Sequence, residues 1–379
     1  MENLLSNSEF IKMDDIMMIE RPYDKRPIFK ISWKMTDLCP YACSYCYMSN
    51  AVEKAKHCKD NPTQEFVENI ASKFNTLYNK LADTSKDEVQ LHLIGGEPSL
   101  FNLINVLKKV ENIPLRYISL ASNIYKPASY YQELKDYAKS RGIDFGCSAS
   151  FHLEQCNPDE YAKKLIDLKF QCKAVVNKSN ISIYKSYFDE FMKHNLAIEI
   201  TIERDNTNKM SEMSDEDLEY ITKIRKYQFD RKASHSSYLP YYTVTLKNGR
   251  KINYSSNIAM INSIIDHKLD CTGFYCNAGL HNVRIEKNGN LKRSACRICS
   301  MYFKMGNILK DDYEKPNGMI ICKCNEAGKD GIYQDKFCTA FNNTSMYRLG
   351  YNKITGIYDK NHGIEIPDYY NMVYGEKNE

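Results

Sequence analysis

Three cysteines stand close together in the run Cys39-Pro-Tyr-Ala-Cys43-Ser-Tyr-Cys46, just after the apolar stretch Phe29 to Trp33. A [4Fe–4S] cube ordinarily takes four Cys thiolates, so three sulfurs in one loop hold such a cluster with one iron left open. An open position separates a metal site that performs chemistry from one that only staples a fold, as catalytic and structural zinc sites illustrate. Two blander readings compete: part of a zinc knuckle, or three reduced thiols in a cytosolic loop. Zinc wants a fourth Cys or His at similarly short range. The next candidates, His57 and Cys58, lie in a lysine-rich stretch at the wrong distance.

A second motif, Gly95-Gly96-Glu97-Pro98, directly follows the β-like run Val89 to Ile94. A Gly-Gly pair after a strand is ordinarily a tight turn. Here the glycines would also let backbone approach a ligand, and Glu97 can accept hydrogen bonds from a cationic amine. Taken in order, C-x3-C-x2-C with the aromatic Tyr45 before its last Cys, then Gly-Gly-Glu-Pro, resembles the signature of the radical S-adenosylmethionine (radical SAM) superfamily. The resemblance implies a [4Fe–4S] cluster on Cys39, Cys43 and Cys46, with the amine and carboxylate of SAM on the open iron and the Gly-Gly-Glu-Pro turn holding the amine. It further implies that an electron from the cluster splits SAM to a 5′-deoxyadenosyl radical that abstracts hydrogen from substrate. A reductant such as flavodoxin or ferredoxin is then an expected partner.

Positioning that loop requires a scaffold, and the chain supplies a regular one. Strands are predicted at Phe29 to Trp33, Val89 to Ile94, Tyr117 to Ala121, Asp144 to Ser150, Cys172 to Val176 and Ala197 to Ile202. After the first they recur about every 27 residues, the length of a βα unit. Helical spacing links them, as in Phe66, Ile70, Phe74 and Leu77, or Phe188, Phe191 and Met192. Six such units predict an α/β fold, a partial (β/α)6 TIM-type barrel, which is also the fold the resemblance implies. Chemistry in such barrels gathers where strands end. The candidates there are Ser122 and Asn123, Ser148, Ser150 and His152, Asn177, then Glu203 and Arg204. The resemblance implies that Ser122, Asn123, Ser148, Ser150 and Asn177 join Tyr45 and Gly95 to Pro98 around SAM. Each taken singly reads equally well as a strand-end polar group capping the next helix, and His152 as a structural histidine.

Beyond Tyr227 the βα rhythm stops. Tyr241 to Lys247 and Arg250 to Tyr254 read as a hairpin closed by a type I′ turn at Asn248-Gly249. Then comes a second cysteine field, Cys271, Cys276, Cys296, Cys299, Cys322, Cys324 and Cys338, around a hairpin turning at Asn288-Gly289. With a two-residue turn there, Cys296 pairs with His281, and Cys276 lies five residues upstream of that register. Cys276-Asn-Ala-Gly-Leu280, the Asn288-Gly289 hairpin, Cys296 and Met305-Gly-Asn-Ile308 resemble the SPASM/twitch domains appended to many radical SAM enzymes. The resemblance implies an auxiliary [4Fe–4S] cluster in this small Cys-rich C-terminal domain. One cluster is expected, from Cys276, Cys296, Cys322 and Cys324, with Cys271, Cys299 and Cys338 as further candidate ligands. Zinc held by four cysteines at a β-ribbon is the structural alternative. The expected organisation is an N-terminal extension over 1–28, the barrel over 29–230, a linker with its hairpin over 231–270, the auxiliary-cluster domain over 271–345 and a tail over 346–379.

Composition narrows the class. The 379 residues are 43% hydrophobic and 26% charged, with no apolar stretch near membrane-spanning length and no signal peptide at the acidic N-terminus, so a soluble cytoplasmic protein is expected. Fourteen cysteines without a secretory signal point to metal or redox use, and ten of them fall in the two fields above. A net charge of +4 is too small and dispersed to imply nucleic acid; Lys223 to Lys226 with Arg231 and Lys232 reads as a solvated helix face. The function expected is radical SAM chemistry of an oxidoreductase type, directed at oxidative modification or crosslinking of a peptide or protein side chain. A small-molecule substrate, such as a sugar or aminocyclitol that is dehydrogenated or epimerised, is the alternative, favoured by the roughly 28 residues before the first strand, too few for a leader-peptide-binding domain. A non-catalytic iron–sulfur or zinc protein is the alternative of another class; it leaves Gly95 to Pro98 without a reason.

Overall fold

Buried and half-exposed residues alternate along the strands Ile28–Lys34, Glu88–Ile94, Gln171–Val176 and Ile198–Ile202 and through the later parts of Leu115–Ser122 and Asp144–Phe151, so one face of the large sheet is packed and the other is less covered. In β3 (Glu88–Ile94) Val89, Leu91 and Leu93 are buried while Gln90 and His92 are half-buried. The computed structural model describes residues 11–20, 28–46, 61–82, 88–110, 112–203, 211–233, 242–254, 274–276, 279–280, 282–293, 304–316, 320–321, 346–348, 351–352 and 357–358. Chain order runs β1 (Ile16–Glu20), β2 (Ile28–Lys34), α1 (Gln64–Ser72), α2 (Phe74–Leu81), β3, α3 (Leu103–Lys108), β4 (Leu115–Ser122) and α4 (Ala128–Ser140). It continues with β5 (Asp144–Phe151), α5 (Pro158–Leu168), β6 (Gln171–Val176), α6 (Ile181–Lys193), β7 (Ile198–Ile202) and α7 (Asp215–Ala233). All six expected strands form, as β2 to β7, each within two residues of its predicted bounds.

Those six pair in parallel in sequence order, giving a mixed α/β architecture around a large, mostly parallel sheet that stays open rather than closing into a barrel. The helices lay their apolar faces on one side. Phe74 of α2 meets Trp33 of β2 with ring centroids 5.2 Å apart, and Phe151 stacks on Tyr161 of α5 at 4.8 Å. Local signals start and stop these helices. Thr63 caps α1 by accepting from the Phe66 amide, and Asn157 caps α5 ahead of Pro158 at its first turn. Among the described residues no helix is long and apolar enough to cross a membrane.

Strand pairing runs across the boundaries expected for the chain. A first hairpin, β8 (Tyr242–Leu246) and β9 (Lys251–Tyr254), pairs through β8 with β1 in the N-terminal stretch, and β1 pairs in turn with β15 (Met346–Arg348) near the other end. With β10 (Phe274–Cys276) and β14 (Ile320–Ile321) they make a second, six-stranded sheet. The other C-terminal strands, β11 (Asn282–Ile285), β12 (Asn290–Lys292) and β13 (Lys304–Asn307), extend the large sheet instead, because β11 pairs in parallel with β2, Asn282 opposite Lys30 through Ile285 opposite Trp33.

Both hairpin turns differ from the two-residue expectation. Leu246 N–H donates to Arg250 O and Glu286 N–H to Asn290 O, each at 2.9 Å, so each loop holds three residues, with Gly249 and Gly289 at φ 81° in the left-handed position that closes a three-residue loop. Asn-Gly suits either loop length, since Asn248 and Asn288 also accept from the amide two residues on, at 3.0 and 3.2 Å. A one-residue change of register moves every following side chain to the other face, so the Cys296–His281 pairing does not follow from this turn.

Candidate functional site

Because β2 to β7 are parallel, their C-terminal ends share one rim, and the candidate residues fall there. The cysteine loop leaves β2 and is gripped from two sides. On one side the turn after β3 lies against its backbone: Gly96 N–H donates to Thr36 O at 2.8 Å and Glu97 N–H to Leu38 O at 2.7 Å. An added Cβ would stand 2.4 Å from Thr36 O at Gly95 and 2.1 Å from Leu38 O at Gly96. The close approach that requires glycine is therefore to the chain's own cysteine loop, where the sequence suggested a ligand.

On the other side the segment after β5 holds the loop by side chains. Gln155 Oε1 accepts from the Ala42 amide at 3.1 Å, and Glu154 accepts from both the amide and the hydroxyl of Ser44, at 2.9 and 2.6 Å. Tyr45 Oη and His152 Nδ1 share a hydrogen bond of 2.9 Å with their rings stacked, and Tyr41 meets the same imidazole edge-on. Neither Glu154 nor Gln155 carries a signal in the sequence, because their partners lie more than a hundred residues away.

Glu97 is fully buried. Its Oε1 accepts from Ser99 N–H, Ser99 Oγ–H and Ser122 Oγ–H at 2.9, 2.6 and 2.9 Å, and Oε2 accepts from Asn123 N–H at 2.7 Å. Burial pushes its pKa up, and the bonds from Ser99, Asn123 and Ser122 pull against that. The carboxylate thus ties the turn after β3 to the end of β4, a role beyond the expected acceptance from an amine. The tie continues into strain: Ile124 is held at φ 42°, a rare conformation for a β-branched residue, by its own amide on Ser122 Oγ and by Lys164 Nζ on its carbonyl. Asn123 Nδ2–H reaches Cys39 Sγ at 3.5 Å.

The other predicted residues sit differently. Ser148 and Ser150 lie on the uncovered face of β5, with Ser148 Oγ on Gln171. Asn177 Oδ1 accepts from Ser179 and Asn180 in its own turn, and its Nδ2–H donates to Glu203 after β7. Pro98 is buried at the start of a short helical turn that Glu97 caps. Arg204, Cys271, Cys296, Cys299, Cys322, Cys324 and Cys338 lie outside the described residues, as does the side chain of Cys276, whose backbone ends β10.

Cys39, Cys43 and Cys46 are free thiols. Burial pushes Cys43 up to about 12, with further contributions from Cys46 and Cys39, and burial likewise raises Cys39. Three thiolates cannot stand together here without a cation to hold them. Among the described residues no three His, Cys, Asp or Glu side chains converge as they would around one ion. The charge of Cys46 bears on both Cys39 and Cys43, and that of Cys39 on Cys43, so the three sulfurs gather in one loop as the thiolates of a single cluster would.

His152 makes this grip pH-dependent. Burial lowers its pKa to about 4, so between there and the ordinary 6.5 the unfolded chain binds the proton that the folded chain rejects. Stability of the metal-free protein should therefore rise from pH 4 to 6.5, by on the order of 3 kcal/mol from this group, a contribution fully present above 6.5 and gone once pH has fallen through the folded value. Urea unfolding across that range should show a shallower rise for His152→Gln; an identical profile would remove His152 as the titrating group.

No family model matches the sequence, and no curated protein matches it. Among solved structures, one described as native anSMEcpe with bound AdoMet is similar over 76% of this chain and 80% of its own, at 16% identity and a TM-score of 0.44. Another, Streptococcus suis SuiB bound to S-adenosylmethionine, is similar over 77% of this chain and 65% of its own, at 15% identity and a TM-score of 0.41.

Proposed function

We propose that this chain is a radical SAM enzyme that binds a [4Fe–4S] cluster on Cys39, Cys43 and Cys46 and modifies a peptide or protein side chain oxidatively. The observation that carries the reading is the cysteine loop clamped at the C-terminal rim of the parallel sheet, by the Gly95–Glu97 turn on one flank and by His152, Glu154 and Gln155 on the other. A cluster held by Cys39, Cys43 and Cys46 would supply the electron for reductive cleavage of SAM to a 5′-deoxyadenosyl radical. The protein's own residues hold the parts. Glu97 is spent on Ser99, Ser122 and Asn123, so the carbonyl oxygens of its turn take the SAM ammonium, and Tyr45, Ser122, Asn123, Ser148, Ser150 and Asn177 are the remaining candidates around SAM. Asn123 Nδ2–H, directed at Cys39 Sγ, stabilises negative charge on that sulfur. Cys276, Cys296, Cys322 and Cys324 are proposed to carry one auxiliary cluster that accepts the returning electron.

Anaerobic reconstitution of the full chain with iron and sulfide, followed by dithionite and SAM, tests this. About eight irons per chain and formation of 5′-deoxyadenosine are expected. About four irons would remove the auxiliary cluster. A fully loaded protein that leaves SAM intact would establish the electron-carrier alternative.

A further inference from the structure

The face of the large sheet that the helices leave uncovered is polar, and most of its cations gather toward one edge. Lys30, Ser32 and Lys34 of β2 share that face with Arg284 of β11, with Glu286 just past its end and with Lys292 of β12 directly opposite Arg284, whereas Val283, Ile285 and Leu291 are buried on the other side. Two carboxylates serve four cations there. Lys34 and Lys287 both pair with Asp37, Lys287 at 2.8 Å. Arg284 and Lys292 both reach Glu286 Oε1, at 2.7 and 3.4 Å. Asp37 stands two residues before Cys39, so this ledge walls the cysteine loop on its β2 side.

Side-chain exposures of 11 to 30% keep the ledge largely out of bulk water, where charges are weakly screened. A purely structural staple would match its charges, since a buried cation without a partner opposes folding. Among the described residues, the four cations Lys34, Lys287, Arg284 and Lys292 share only the two carboxylates Asp37 and Glu286. Among the described residues, only Nε of Arg284 is engaged by a carboxylate, which leaves the two terminal nitrogens of a fork suited to an oxyanion.

We propose that this ledge binds an anionic group of the substrate, a carboxylate or a phosphate, and so selects an acidic substrate for the cysteine-loop site. The proposal rests on the functional reading above. Titration calorimetry on the reconstituted full-length protein at low ionic strength, with a hexaglutamate peptide, glutarate and inorganic phosphate as separate probes, tests it. Arg284→Gln/Lys292→Gln should weaken the tightest probe by about tenfold or more. Because that pair of changes strands Glu286, the neutral network Arg284→Gln/Glu286→Gln/Lys292→Gln is measured beside it and should also bind more weakly. Glu286→Gln alone removes a competing acceptor and should bind several-fold more tightly, a gain that a structural role does not produce. Lys163→Gln, at an exposed helical pair, should change nothing.

Tightest binding of hexaglutamate assigns an acidic peptide, glutarate matching it assigns a small carboxylate, and phosphate ahead of both assigns a phosphate ester. Equal binding of hexaglutamine, or Glu286→Gln and the triple variant moving together or not at all, would overturn the ledge as an anion site. SAM cleavage measured on the same wild-type preparation separates the two questions, since a protein that binds the anion but leaves SAM intact fails only the functional reading.

Discussion

Alanine at Cys39, Cys43 and Cys46 together is expected to abolish 5′-deoxyadenosine formation. Among the described residues of the loop these are the three cysteine thiols, their neighbours Ala42, Ser44 and Tyr45 are already bonded to Gln155, Glu154 and His152, and the one carboxylate, Asp37, is paired with Lys34 and Lys287. Iron remaining in that variant belongs to the C-terminal cysteines, about four irons and four sulfides if one auxiliary cluster is present. One tightly held zinc in place of iron would make that domain a structural staple and withdraw its electron-accepting role. SAM cleavage persisting at the wild-type rate would sink the assignment of the loop altogether.

Gly96→Ala should come close to the same loss by a different route. Its new methyl group would meet Leu38 O at 2.1 Å and Asp37 O at 2.6 Å, both backbone atoms that no side-chain rotation can move away. Relief requires parting the turn from the cysteine loop, which breaks Gly96 N–H to Thr36 O and Glu97 N–H to Leu38 O. Overpacking together with two lost backbone hydrogen bonds predicts a destabilisation of about 3–5 kcal/mol, a large fraction of a domain's stability. Gly142→Ala is the control. It sits at φ 69° with nothing within 4 Å of an added Cβ, so only the conformational cost of about 1–2 kcal/mol applies. Urea midpoints of the metal-free proteins and iron bound after reconstitution should separate the two. Equal midpoints for the two variants would show that the turn does not brace the loop.

The contrast between these glycines marks what sequence alone determined. Spacing announced the cysteine loop, the strand before it and the Gly-Gly turn after β3, because each is a local pattern: alternation along a strand, thiols a few residues apart, a turn where a strand stops. Six parallel βα units followed from the same periodicity, and with them the rim on which the candidates would meet. Tertiary structure alone decided what those residues touch. The glycines make room for Thr36 and Leu38 of the chain itself, and Glu97 spends its carboxylate on Ser99, Ser122 and Asn123. The grip of Glu154 and Gln155, and the charged ledge made when β11 docks on β2 from about 250 residues away, left no trace in any local window. Pairing partners depend on register and strand order. A strand reports which of its faces is apolar, and only the folded chain decides which neighbour that face, and the polar face opposite, will meet.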